Sequence, residues 1–166
     1  MKIKFAKVNK NSDAKIPSKR FEDAGFDIYA SFSEENMVIQ PNETKMIPTG
    51  LMSSFPAGYV AILKERGSTG SRGIGQRCGV IDSGYRGEWF VPLTNHNNKP
   101  IAITKEENSN TLEALSADYI IYPYKKAICQ VLFFEVPKVT VKEVDKFDII
   151  KDFSERGDGS LGSSGK

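Results

Sequence analysis

Histidine and cysteine are nearly absent from this chain of 166 residues: there is one histidine, His96, and there are two cysteines, Cys78 and Cys129. No Cys/His cluster therefore has the spacing of a zinc site, and a nucleophile–histidine pair would have to recruit His96. That residue sits in Thr94-Asn95-His96-Asn97-Asn98, a polar run that predicts a solvated turn. Both cysteines adjoin apolar residues and are expected to be small buried hydrophobes rather than reactive thiols. A dominant charge is lacking too. The 23 Lys+Arg nearly offset the 21 Asp+Glu, leaving +2, which gives no field for broad nucleic-acid binding. No apolar run is long enough to cross a membrane, and Met1-Lys2-Ile3-Lys4-Phe5 lacks the core of a signal peptide, so a soluble cytoplasmic protein is expected. Any chemistry must rest on carboxylates, arginines, backbone amides or an oxygen-ligated metal.

What the chain does have is a series of short strands. Alternation or apolar runs mark Lys2–Val8, Met37–Gln40, Thr44–Pro48, Tyr59–Leu63, Trp89–Leu93, Ile101–Thr104, Ala127–Val136 and Val139–Val144, separated by turns such as Pro41-Asn42 and Pro56-Ala57-Gly58. This pattern predicts an all-β sandwich or barrel in one domain. One helix is expected over Asn110–Tyr119, with Thr111 as cap and Leu112 and Leu115 on one face. Phe147–Glu155 reads as the departure into a tail.

Four segments can carry chemistry. Asp23-Ala24-Gly25-Phe26-Asp27 sets an acid after a glycine in strand-like alternation; Asp27 can serve a hard metal directly or through water, or be a turn or edge-strand charge. Glu65-Arg66-Gly67-Ser68-Thr69-Gly70-Ser71-Arg72-Gly73 has the composition of an anion cradle of N–H groups, hydroxyls and guanidinium forks. It lacks the GxxxxGK[ST] pattern of a P-loop. Gly79-Val80-Ile81-Asp82-Ser83-Gly84-Tyr85-Arg86-Gly87 leads an apolar pair into Asp82, a carboxylate placed to act as general base toward water. Tyr85 offers a flat face for a sugar ring. Arg156 through Gly165 holds four glycines and three serines in ten residues. It is either a solvated end or a closing anion nest, and the tail alone does not separate the two.

Taken with Ile128-Cys129-Gln130-Val131-Leu132, these segments resemble, in order, the five motifs of the trimeric dUTPase family (deoxyuridine 5′-triphosphate nucleotidohydrolases). The resemblance implies a jelly-roll-like distorted barrel of antiparallel strands with at most one short helix, a β domain over 1–153 and a flexible Gly/Ser-rich arm over 154–166. It implies hydrolysis of dUTP to dUMP and diphosphate, with Mg²⁺ held mainly by the triphosphate. Asp82 matches the base that activates the attacking water, and Asp27 the acid that supports the metal or that water. Arg66, Gly67, Ser68, Thr69, Arg72, Gln130 and Arg156 match phosphate-side positions. Gln76, Gly79, Val80 and Ile81 fall on the hairpin whose backbone reads uracil, and Tyr85 packs on the deoxyribose. Gly159, Ser160, Leu161, Gly162 and Ser163 lie on the arm. A homotrimer with sites at subunit interfaces is implied.

The chain also departs from the family pattern. Gly67 stands where a serine is usual, Arg72 where a lysine is, and Lys125-Lys126-Ala127 replaces Gly-Asp/Glu-Arg. Ser160 and Leu161 replace a glycine and the aromatic that stacks on the base, which leaves Trp89 or Phe90 as candidates to cover the ring. Residues 95–124 form a longer connection, either a plain surface excursion or a site for a protein partner. Two other functions fit the same fold: a regulatory protein that binds through 95–124, and a dCTP deaminase-like enzyme.

Overall fold

The computed structural model describes residues 1–159. Ser160, Leu161, Gly162 and Ser163, expected on the closing arm, lie outside the described residues. The chain divides into two compact units, 1–136 and 137–166, a division that falls before the boundary expected at 153/154.

In the first unit the strands are β1 (Lys4–Lys7), β2 (Phe26–Ile28), β3 (Asn36–Ile39), β4 (Thr44–Pro48), β5 (Leu51–Ser54) and β6 (Tyr59–Lys64), followed by the single-turn helix α1 (Gly67–Gly70). Then come β7 (Ile74–Gln76), β8 (Val80–Asp82), β9 (Phe90–Asn95), β10 (Ile101–Thr104), helix α2 (Ser109–Asp118), β11 (Ile120–Pro123) and β12 (Cys129–Glu135). They pair as β1-β5, β11-β10-β3, β2-β12-β6-β8 and β4-β9-β7. These sheets enclose one core in which Trp89, Ile28, Ile39, Ile47, Leu51, Ile101, Val91 and Val131 are fully buried. Phe5 packs edge-on against Trp89, their ring centroids 5.2 Å apart. The alternation of β4 shows how the sequence selects a face. Ile47 is buried while Thr44 and Met46 stay exposed, and across the ladder Val91 is buried opposite Ile47.

Residues 95–124 are not a plain surface excursion. Ile101, Ala102, Ile103 and Thr104 are buried in β10, the central strand of its sheet. The β10–β11 pair is parallel, an exception to the all-antiparallel expectation, and α2 supplies the crossover that a parallel pair requires. The α2 helix starts at Ser109, and its cap is Asn108 rather than Thr111. The Asn108 side chain accepts from the Asn110 and Thr111 N–H groups. Leu112 and Leu115 are its half-buried residues, as the spacing predicts. The polar run around His96 is also only partly a turn: Thr94 and Asn95 continue β9 and are buried. The Asn95 amide donates to the Ile39 and Lys99 carbonyls, which satisfies its polar group inside the core.

In the second unit Val139–Val144 forms no strand, although the sequence alternates there. A further single-turn helix, α3 (Lys146–Ile150), starts where the Asp145 carboxylate accepts from the Phe147 N–H at 2.9 Å. With α1 and α3 the described residues hold three helical segments, two more than expected.

Candidate active site

Five candidate residues converge on the sheet β2-β12-β6-β8. Asp27 of β2 stands opposite Gln130 of β12, which stands opposite Lys64 at the end of β6. The chain leaves β6 through Glu65 into Arg66, so strand register brings Asp27, Gln130 and Arg66 to one place. Arg66 Nε donates to Asp27 Oδ1 at 2.9 Å, with both side chains about one-third exposed. Its Nη1 donates to Ser68 Oγ at 3.3 Å and to the Ala127 carbonyl at 3.4 Å. Gln130 Nε2 donates to the Glu65 carbonyl at 2.8 Å. Gly25 makes room for this: a Cβ there would lie 2.5 Å from Gln130 Oε1. Together with Ser18, Lys19, Arg20, Asp23 and Gly67 these groups line a polar cleft of about 790 Å³.

The loop after β6 holds its shape through Thr69. Its side chain is buried, its Oγ1 donates to the Arg66 carbonyl at 3.0 Å and accepts from the Arg66 N–H at 3.1 Å. Thr69 thus braces the cradle from within and is turned away from the position of a phosphate donor. Gly67 and Ser68 face the cleft, and a Cβ at Gly67 would meet nothing within 4 Å. Arg72 lies on neither wall; its Nη2 donates to the Ile121 carbonyl at 3.4 Å.

Asp82 ends β8 on the opposite edge of the same sheet, opposite Val60 at the start of β6. The Asp82 carbonyl accepts from the Tyr85 N–H at 3.0 Å, closing a turn, and Tyr85 Oη donates to the Glu88 carbonyl at 2.9 Å. Arg86 Nη1 donates to the Ser83 carbonyl at 2.7 Å and fixes the turn from the other side. Asp82 and Tyr85 share an apolar groove of about 390 Å³ with Gly79, Val80, Ile81, Met46, Phe90 and Pro92. Phe90 is 38% exposed, whereas Trp89 is fully buried in the core. Of the two aromatics considered as cover for a base, the structure removes Trp89 and keeps Phe90.

The expected hairpin over Ile74–Ile81 takes a different form. Strands β7 and β8 do not pair with each other: β7 pairs with β9 and β8 with β6, each at the edge of its sheet. The bend between them has Cys78 at φ 54° and Gly79 at φ 139°. Gln76 serves this bend internally, its Nε2 donating to the Arg77 and Cys78 carbonyls at 2.6 and 2.8 Å. Cys78 is exposed on the groove, contrary to the buried role expected for both cysteines, while Cys129 is buried and its thiol is pushed well above the usual range by desolvation. In the second unit Arg156 Nε donates to the Gly159 carbonyl at 3.0 Å and the Gly159 N–H donates back to the Arg156 carbonyl. Sequence reasoning missed Met46 and Arg77 on the groove and Lys19 and Arg20 on the cleft; only Arg20 carried a signal, its i,i+3 spacing to Asp23.

An arginine–glutamine–hydroxyl cleft can hold an anion, and an apolar groove bearing a carboxylate and a tyrosine can hold a flat ring beside a proton acceptor. The dUTPase family profile matches residues 12–108. The deoxyuridine 5′-triphosphate nucleotidohydrolase of Nautilia profundicola is 35% identical over the whole of both chains. That of Gloeobacter violaceus is 33% identical over 86% of this chain and 83% of its own. Among solved structures, the Staphylococcus bacteriophage 80alpha dUTPase with dUpNHpp superposes with a TM-score of 0.74 at 27% identity, covering 99% of each chain. The phage phi11 dUTPase shares the fold, with a TM-score of 0.66 at 21% identity over 89% of this chain and 99% of that one; its structure is described as revealing the coordination of a structural Mg(II) ion. The chain belongs to the dUTPase family, an enzyme family of deoxyuridine-triphosphate nucleotidohydrolases. No helix among the described residues is long and apolar enough to cross a membrane.

Proposed function

We propose that this chain hydrolyses dUTP to dUMP and diphosphate in a site assembled from more than one copy. The observation that carries the reading is the separation of the two half-sites on one sheet. From Val60, opposite Asp82, to Lys64, opposite Gln130, is about 13 Å at about 3.3 Å per residue. From β8 to β12 is two strand spacings, about 10 Å. The backbone positions of Asp82 and Gln130 in one copy are therefore about 16 Å apart, whereas a general base must sit within about 3 Å of its water. Phosphate donors need similar proximity to their oxygens. A second copy that presents its Arg66 cleft to the first copy's Asp82 groove removes the gap, as a homotrimer with interfacial sites would.

In this reading uracil lies against the backbone edges at Gly79, Val80 and Ile81. Rigid amides there separate uracil from cytosine, because the two bases exchange an acceptor for a donor and the wrong one leaves groups unpaired. Tyr85, held by Glu88, packs on the deoxyribose. Asp82 accepts the proton of a water that attacks the α-phosphorus in line, and the P–O bond to the leaving diphosphate breaks. Arg66, Ser68, Gly67 and Gln130 hold the leaving oxygens as their charge grows. Asp27 keeps the Arg66 fork in plane. Mg²⁺ would enter with the triphosphate, with Asp27 as an acceptor for its water. When bound, the ion offsets charge on the leaving diphosphate.

The test is diphosphate release from dUTP against dCTP and dTTP, with ammonia release from dCTP read in parallel. Selective diphosphate release is expected, and Asp82→Asn should keep nucleotide affinity while kcat falls about 10²–10⁴-fold. Ammonia from dCTP, or an Asp82→Asn variant as fast as the parent, would contradict the reading.

A further inference from the structure

The polar cleft has a second wall that none of the expected phosphate contacts uses. Residues 18–25 leave and rejoin the body at one point, where Ser18 bridges to Asp27 and the Asp27 N–H donates to the Ser18 carbonyl at 2.9 Å. The loop so closed carries Lys19 and Arg20 onto the cleft that holds Arg66, Ser68 and Gln130. Asp23 clamps Arg20 from both ends: Nε to Oδ2 is 2.9 Å, Nη2 to Oδ1 is 3.0 Å, and the Arg20 N–H reaches Oδ2 at 3.2 Å. This repeats the arrangement beneath Arg66, whose Nε is held by Asp27 at 2.9 Å. Each arginine thus has an aspartate that fixes its plane, and Arg20 spends only Nε and Nη2 on its own. The Arg20 side chain is 89% exposed although doubly clamped, so its position is set without being buried. Lys19 Nζ donates to the Arg20 and Phe21 carbonyls at 3.3 Å and lies 5.3 Å from the centroid of the Phe26 ring.

The electrostatics favour an anion longer than the one Arg66 alone would hold. Lys19, Arg20 and Arg66 against Asp23 and Asp27 leave the lining one positive charge in excess, with two guanidinium forks facing one polar space. A diphosphate fills the reach of one fork; a third phosphate brings the charge and the oxygens for the second.

Resting on the reading of the preceding section, we propose that Arg20 and Lys19 form a terminal-phosphate subsite, so that loop 18–25 selects a nucleoside triphosphate over a diphosphate. Arg20 is a binding residue in this scheme and Asp23 its positioning partner.

The experiment compares the parent with Arg20→Gln, Lys19→Gln and the pair Arg20→Gln/Asp23→Asn. Arg20→Gln should raise KM for dUTP about tenfold while kcat falls less than about threefold, and the inhibition constant of dUDP should move by less than about twofold. Lys19→Gln should act in the same direction and more weakly. The double variant removes the carboxylate charge that Arg20→Gln uncovers, and it should stay impaired; recovery would mean that repulsion by Asp23, not loss of a phosphate contact, caused the effect, and would overturn the proposal. So would an unchanged KM for dUTP, or equal losses for dUTP and dUDP. Melting temperatures verify that these exposed substitutions leave the fold intact. If the parent releases no diphosphate from dUTP, the function proposed above fails. Calorimetric titration with inorganic tripolyphosphate and pyrophosphate then tests the loop on its own, with Arg20→Gln required to weaken only the former.

Discussion

Gly79→Ala joins the fold and the site in one substitution. Gly79 sits at φ 139°, a conformation side chains rarely adopt, and its carbonyl accepts from the Leu63 N–H at 2.8 Å. A Cβ there would lie 2.7 Å from the Leu63 carbonyl oxygen, inside the about 3.3 Å of close C···O contacts. The neighbour is backbone of the central strand β6 and cannot swing aside, so the bend itself must move. Backbone strain contributes about 1–3 kcal/mol and loss of the Leu63–Gly79 hydrogen bond about 1 kcal/mol. The variant should therefore lose about 2–4 kcal/mol of stability. The same shift displaces Val80–Asp82, and a displacement of about 1 Å at a reacting group costs about 10²-fold in rate. Urea unfolding and steady-state diphosphate release measure the two effects. A variant within about 0.5 kcal/mol of the parent and with its kcat would refute the argument that this close approach holds Asp82 in place.

Two further predictions concern other parts of the body. Gly67→Ser places a hydroxyl in open space on the cleft and should lower KM for dUTP severalfold with an unchanged melting temperature; a rise in KM would contradict the cradle geometry. Tyr124 Oη donates to Asp13 Oδ2 at 2.6 Å and its ring packs on Phe32. Burial and the Asp13 bond push Tyr124 up to about 12. Burial opposes ionisation of Asp13, but the Tyr124 and Ser31 hydroxyls and the Lys105 charge hold it below the usual carboxylate range. The tie thus stabilises the fold above the unfolded Asp value near pH 4 and below the unfolded Tyr value near pH 10, and is lost as pH falls through the lowered Asp13 pKa or rises through the raised Tyr124 pKa. Tyr124→Phe should cost about 1–2 kcal/mol between pH 5 and 9 and flatten the acid limb of the stability curve; equal acid limbs would refute the linkage.

The strands that sequence located best are those whose register is imposed by burial. Thr44–Pro48 and Ile101–Thr104 appear with their predicted bounds because each alternates against, or lies wholly within, the core. Val139–Val144 alternates equally well and forms no strand, since alternation supplies a face but no partner edge. The α1 turn was invisible because Gly-Ser-Thr-Gly is poor helix sequence; it forms because the Arg66 carbonyl accepts from Thr69 and Gly70. At the site, residue type singled out Arg66, Asp27, Asp82 and Tyr85 as candidates and the family resemblance added Gln130, but the inward turn of Thr69 and the burial of Trp89 depend on packing that composition does not encode. The separation of Asp82 from Arg66 was hidden for a different reason. Nearness in the chain says nothing of distance within a sheet: β8 pairs with β6 in a register that sets Asp82 opposite Val60, while Arg66 follows the far end of β6 at Lys64.

That separation is what the whole account turns on, and mixing variants tests it directly. An Asp82→Asn chain and an Arg66→Gln chain should each be nearly inactive alone. Unfolded together in equal amounts and refolded, they should regain activity at about a quarter of the parent's sites, because random assembly unites an intact Asp82 of one copy with an intact Arg66 of another that often. Activity that stays at the level of the separate variants would place both residues in the same copy's site and contradict the composite site.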